Sequence, residues 1–167
     1  MRLWLKADAL TLNNNDLVAS WTDSSSNANH ATQSTSTRQP TYKTSILNGK
    51  PVVSFDGGDF VATGSTLSLT TFSISVVFRA SAHGIVYEHG NGSSVYLYTA
   101  TNNTIQATKG SVTSGRNLST SWGIGSTWRI VTVTFDGTQA GHLMYINAAS
   151  QTLINAVTGD PGTASNA

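Results

Sequence analysis

Residues Lys50 to Phe60 read KPVVSFDGGDF, and this stretch decides the fold class. Val52 to Phe55 is mostly β-branched or aromatic, which suits a half-buried strand. Asp56-Gly57-Gly58 supplies the positive-φ positions of a tight turn, so the stretch predicts one strand, a hairpin turn and the start of a second strand at Phe60. Just upstream, Tyr42 to Leu47 is a further strand segment that runs into an Asn48-Gly49 turn.

Downstream the pattern repeats. In Phe72 to Arg79, FSISVVFR, Phe72, Ile74, Val76 and Phe78 share one face and Ser73, Ser75, Val77 and Arg79 the other, a strand with one buried side. Gly84 to Glu88 and Ser94 to Thr99 flank His89-Gly90-Asn91-Gly92 and predict a hairpin with a Gly-rich tip. Thr104 to Thr108 follows, and Gly110 to Gly125 reads as a long Gly/Ser/Asn-rich loop with room for one strand. Trp128 to Phe135 alternates again and turns at Asp136-Gly137 into His142 to Asn147. Gln151 to Val157 is the last candidate strand. At the other end, Leu3-Trp4-Leu5 and Leu17 to Trp21 are short apolar strands separated by polar turns, with Trp4, Trp21 and Trp128 expected to be buried. No segment sustains helical spacing, so an all-β fold is expected, a two-sheet antiparallel sandwich or jelly roll.

Composition narrows the function classes. At 167 residues the chain has the size of one domain with one core. Only 10% of the residues are charged, nine Lys plus Arg against eight Asp plus Glu, so no field exists to attract nucleic acid or an anionic membrane. The polar fraction is Ser, Thr, Asn and Gly, as in many virion, secreted and surface-exposed β proteins. Cysteine is absent, which removes disulfide frameworks and zinc-thiolate sites. No apolar run reaches the roughly 20 residues of a membrane span.

LWLKAD near the start, SWTDSSSNANHATQ, RQPTY, NGKPVVSFDGGDF, FSISVVF and TWRIVTVTFDGTQAGHLMYIN succeed one another in an order that resembles the concanavalin A-like, laminin-G-type jelly-roll domains. The bacterial and phage branch, with its Leu-Trp-Leu opening and Trp-x-Asp-x-Ser-x-x-x-Asn motif, is the most similar. The resemblance implies a single jelly-roll domain over residues 1–157, and a fold that carries lectins, adhesion modules, glycanases and structural virion domains alike. Two features depart from it. The late hairpin has Asn147-Ala148-Ala149-Ser150 where the family has Asn-Gly, and residues 158–167 form a tail or the beginning of a closing segment that is otherwise missing. Either the chain is a fragment, or a partner supplies the strand by β-augmentation beside an open edge at Leu3 to Leu5.

The chemistry-bearing residues are few. Glu88 is the only glutamate and no second acid lies near it in sequence, whereas a glycosidase needs a carboxyl pair. His30, His83, His89 and His142 lack metal-ligand spacing. Asp56 and Asp59, with carbonyls of the turn between them, form a candidate calcium site, although Asp-Gly is also what a turn demands. Tyr87, His89, Asn91, Tyr96 and Tyr98 on the second hairpin, with Trp122 in the Gly-rich loop, offer aromatic platforms beside amides for a sugar. The expectation is a non-enzymatic surface module of a virion or cell surface. It works through contacts with other virion or surface-protein subunits or with itself, and the alternative is carbohydrate binding with calcium assistance.

Overall fold

In the computed structural model the chain is all-β, with antiparallel sheets, two short 3-10 turns at Ala7–Ala9 and Ser36–Arg38, and no α-helix among the described residues. Those residues are 1–64, 71–89, 95–101, 103–109, 116–121, 125–136, 143–151 and 157–158. Two compact units form, Met1–Leu67 and Ser68–Ala167.

The first unit contains β1 (Ser20–Trp21), β2 (Ala31–Thr32), β3 (Thr41–Leu47), β4 (Lys50–Ser54) and β5 (Ala62–Thr63). The order β1-β2-β5 makes one sheet, and β3 with β4 makes a separate hairpin. This hairpin closes at Asn48-Gly49, whose φ values of 50° and 75° are the pair of left-handed residues that matches strand twist. The turn at Asp56 is therefore not the hairpin turn that the local sequence predicts. Asp56 Oδ1 accepts the Gly58 amide at 2.8 Å and Asp59 Oδ2 accepts the Asp56 amide at 3.1 Å, so side chains take the donors that a ladder would use. Phe60 starts no strand; its amide donates to the Arg38 carbonyl at 3.1 Å.

Leu3 to Leu5 likewise forms no strand, only a single bridge between Leu5 and Asp23. Trp4 is 47% exposed instead of buried, with the Lys6 ammonium 4.7 Å from its ring centroid. Val18, Ala31 and Tyr42 form the apolar interior of this unit beside buried Asp23 and Gln33. With strands this short, much of its order comes from side-chain bonds to backbone.

The second unit contains β6 (Phe72–Ala80), β7 (Gly84–His89), β8 (Val95–Thr99), β9 (Thr104–Lys109), β10 (Arg116–Ser121), β11 (Gly125–Phe135), β12 (Leu143–Ile146), β13 (Ala149–Ser150) and β14 (Val157–Thr158). They make a five-stranded sheet, β14-β10-β9-β8-β7, and a four-stranded sheet, β13-β12-β11-β6. Both sheets feed one core: Leu97, Ile105 and Ala107 come from the first, and Val131, Val133, Phe135 and Met144 from the second. The period-two reading of β6 holds, since Phe72, Ile74, Val76 and Phe78 pack against that core. Phe72 and Phe135 are cross-strand partners with ring centroids 5.0 Å apart. Trp128, expected inside, lies beneath the Arg79 guanidinium at 5.1 Å; it alternates away from Val131, Val133 and Phe135, so the pleat turns it to the opposite face.

Part of the expected Gly-rich loop is strand. β10 pairs with β9 over six residues, Arg116↔Lys109 to Ser121↔Thr104, because a neighbouring ladder outweighs weak local propensity. Of the expected strand Gln151 to Val157, residues 152–156 lie outside the described residues, as do 159–167 of the tail. The described residues thus form four small sheets in place of the two continuous ones expected.

The hairpin between β12 and β13 turns on Asn147 and Ala148, with φ values of 52° and 66°. Asn147 suits this conformation and its Oδ1 accepts the Ile130 amide at 2.9 Å. For Ala148, the Cβ makes the left-handed region unfavourable by about 1–2 kcal/mol. Ala148→Gly is expected to stabilise the protein by about 1 kcal/mol and raise Tm by about 2–4 °C in a thermal melt. No gain in Tm would contradict the strained turn.

Candidate functional site

The predicted tyrosine hairpin is present as β7 and β8, but its register divides the expected site. Ile85 pairs with Tyr98, the register shifts at Val86, and then Tyr87 pairs with Leu97, Glu88 with Tyr96 and His89 with Val95. A bulge of one residue sends every later side chain to the other face. Tyr87 consequently joins buried Leu97 and packs against the core, where burial pushes its hydroxyl up to about 12. His89 follows it inward, and its Nε2 is buried with no hydrogen-bond partner. Tyr87 thus packs against the core, and His89 shares its face of the strand.

Tyr96 and Tyr98 remain together on the opposite face. Across β9, Tyr96 pairs with Thr108 and Tyr98 with Gln106. Burial raises the Tyr96 hydroxyl above its ordinary range, and the Glu88 carboxylate that accepts its hydrogen bond raises it further. The Tyr98 hydroxyl donates to Gln106 Oε1, while Gln106 Nε2 donates to Thr104 Oγ1 at 3.0 Å. Thr108 is fully buried and its hydroxyl has no partner. The constellation is therefore Glu88, Tyr96, Tyr98, Gln106 and Thr108. Gln106 and Thr108 escaped the sequence reading, although the alternation in TIQATK places them on one face with Thr104. Beside Tyr98 runs an open groove of about 330 Å³ lined by His83, Ile85, Thr99 and Thr101, among others. Ile85 is 62% exposed there. Asn91 and Trp122 lie outside the described residues.

In the first unit the calcium candidates Asp56 and Asp59 each give one oxygen to a turn amide, as described above. Among the described residues no three His, Asp or Glu side chains group as a metal site. Calcium takes six to eight oxygen ligands, so the turn alone would leave most of the shell to other donors.

The Trp-x-Asp-x-Ser-x-x-x-Asn motif proves to be a clasp. Asp23, 5% exposed, accepts four hydrogen bonds: from the Trp4 and Ser25 amides at 2.8 Å each, the Ser25 hydroxyl at 2.6 Å and the Asn29 amide at 2.9 Å. Burial alone would raise its pKa. The four donors outweigh that and hold the carboxyl well below the usual carboxylate range. The other motif residues grip the same terminal segment: Trp21 Nε1 donates to the Lys6 carbonyl at 2.9 Å and Asn29 Nδ2 to the Arg2 carbonyl at 2.8 Å. His30 Nδ1 accepts the Asp23 amide at 3.0 Å, which puts the neutral ring's proton on Nε2.

A second concavity of about 410 Å³, lined by Gln33, Ser34, Gln39 and Phe60 with Ala19 and Thr32, also lies in the first unit. Its amides serve the fold: Gln33 Nε2 donates to the Phe60 carbonyl at 3.3 Å, and Gln39 Nε2 to the Gln33 carbonyl at 2.6 Å.

Comparison with protein-family models, curated proteins and solved structures found no match.

Proposed function

We propose that the chain is a non-enzymatic module of the concanavalin A-like, laminin-G-type jelly-roll class, and that it builds or decorates a virion or cell surface through protein contacts. The observation that carries this reading is β6. It is a nine-residue strand at the end of its sheet among the described residues, with no charge, proline or register shift from Phe72 to Phe78. A long, regular, uncharged edge is the kind that proteins either protect or use. The segment Leu3 to Leu5, gripped by the Asp23 clasp, is less suited to that role. The low charge of the chain agrees with a surface module, and a single glutamate hydrogen-bonded by Tyr96 does not resemble the carboxyl pair of a glycosidase.

Carbohydrate binding is the second reading. Tyr96, Tyr98 and Gln106 beside the groove support it, with calcium at Asp56 and Asp59 as the assisting ion. A glycan array probed with labelled chain, with and without a calcium chelator, separates the two. The assembly reading expects no saturable signal in either condition. Saturable binding abolished by Tyr98→Ala would transfer the function to the tyrosine face.

A further inference from the structure

The concavity lined by Ala19, Thr32, Gln33, Ser34, Gln39 and Phe60 belongs to the first unit, whereas the tyrosine hairpin belongs to the second. We propose that this concavity is a carbohydrate subsite, which takes one neutral pyranose ring against Phe60.

Its walls are fixed before a ligand arrives. Gln33, 7% exposed, ties them together: its backbone amide donates to the Ala19 carbonyl at 2.9 Å, its Nε2 to the Phe60 carbonyl at 3.3 Å, and its Oε1 accepts the Thr35 amide at 3.0 Å. Gln39 Nε2 donates to the Gln33 carbonyl at 2.6 Å, which orients that side chain and leaves its Oε1 as an acceptor in the wall. The Phe60 amide donates to the Arg38 carbonyl at 3.1 Å, and the Arg38 guanidinium stands 5.9 Å from the Phe60 ring centroid, a distance at which it steadies the ring. Little ordering entropy is left for a ligand to offset.

The chemistry of the lining matches a sugar. Phe60 is 46% exposed, so a flat apolar ring stands beside hydroxyls and a carbonyl oxygen. Buried and exposed residues alternate from Ala31 to Ser34, which puts the Thr32 and Ser34 side chains on one exposed face. A pyranose carries the complementary pattern, with C–H bonds on one face to lie on the aromatic ring and hydroxyls round its edge that both donate and accept. A purely apolar ligand would cover these polar groups without pairing them. The volume of about 410 Å³ falls at the lower end of the range for small-ligand sites, as suits a single sugar ring and its substituents.

One ring in such a site is held with a Kd on the order of 1 mM. That is too weak to leave a saturable signal from the labelled chain on an array, so the site goes beyond the assembly reading without competing with it. Resting on that reading, many copies of the module on one surface raise the weak contact to an effective avidity.

Two-dimensional amide NMR of the full chain, titrated with free glucose, galactose, mannose and N-acetylglucosamine, tests the subsite. Saturable shifts at Thr32, Ser34, Gln39 and Phe60 are expected with at least one of these sugars. Phe60→Leu keeps the backbone bonds and most of the bulk but removes the aromatic face; it is expected to weaken binding about tenfold with the far-UV circular dichroism of wild type. Phe60→Trp is expected to retain binding, which a misfolded variant could not do. No saturable shift with any of the sugars, shifts confined to the Tyr96 and Tyr98 face, or a Phe60→Leu chain that binds as wild type does would each overturn the proposal. None of these outcomes removes the assembly reading, which is tested separately by the concentration dependence of the β6 amides.

Discussion

Replacing Asp23 by alanine is expected to cost about 3–5 kcal/mol in a urea denaturation experiment, the range for removing one partner from a buried charged network. Four donors converge on this carboxylate, and two of them, the Trp4 and Asn29 amides, are far apart in sequence. The substitution removes this shared acceptor and releases the terminal segment from the remainder of the first unit. Asp23→Asn retains an acceptor for the Trp4 and Ser25 amides but can present an amide donor to the Asn29 N–H, so a smaller loss is expected. The pH dependence has a definite sign. The folded pKa lies below the unfolded value of about 3.9, so the stabilisation is fully present above pH 4 and is lost as pH falls through the folded pKa. Wild type and Asp23→Ala should therefore converge in stability on the acid side of pH 4. A loss below about 1 kcal/mol, or a difference that does not shrink in acid, would show that the clasp does not hold the unit together.

Phe135→Ala is expected to destabilise the second unit by about 3–5 kcal/mol, the usual cost of truncating a buried phenylalanine. Phe135 is almost fully buried, closes the core between the two sheets and stacks on Phe72 across the β6–β11 ladder. Phe135→Leu preserves most of the apolar bulk but loses the ring pair, itself worth about 0.5–1.5 kcal/mol, and should fall between wild type and the alanine variant. Thermal denaturation checks the order of the three. A Phe135→Ala chain as stable as wild type would contradict the shared core.

Much of the second unit is legible in the sequence because its strands alternate cleanly. FSISVVF and TVTF each declare a buried face, and the structure pairs those faces in register, Val76 with Val131 and Ile74 with Val133. Tyr87 could not be assigned in the same way. Its face depends on the bulge at Val86, and a bulge is set by the partner strand, not by the residues that form it. The two turn signals around Lys50 posed a related problem. Asn48-Gly49 and Asp56-Gly57 both permit positive φ, and only the pairing of β4 with β3 decides which of them closes the hairpin. The clasp was visible as a spacing of Trp, Asp, Ser and Asn, while its target was not, since it consists largely of backbone groups of Arg2, Trp4 and Lys6, which leave no trace in residue type. The same holds for Gln106 and Thr108, which join the tyrosines through register alone.

Whether β6 is a working edge can be read from its amides. Hydrogen exchange across Phe72–Ala80, followed at low and high protein concentration, reports the protection of the N–H groups that point away from β11. Association through this edge predicts that these alternate amides gain protection as concentration rises. Equal exchange at every concentration would contradict it.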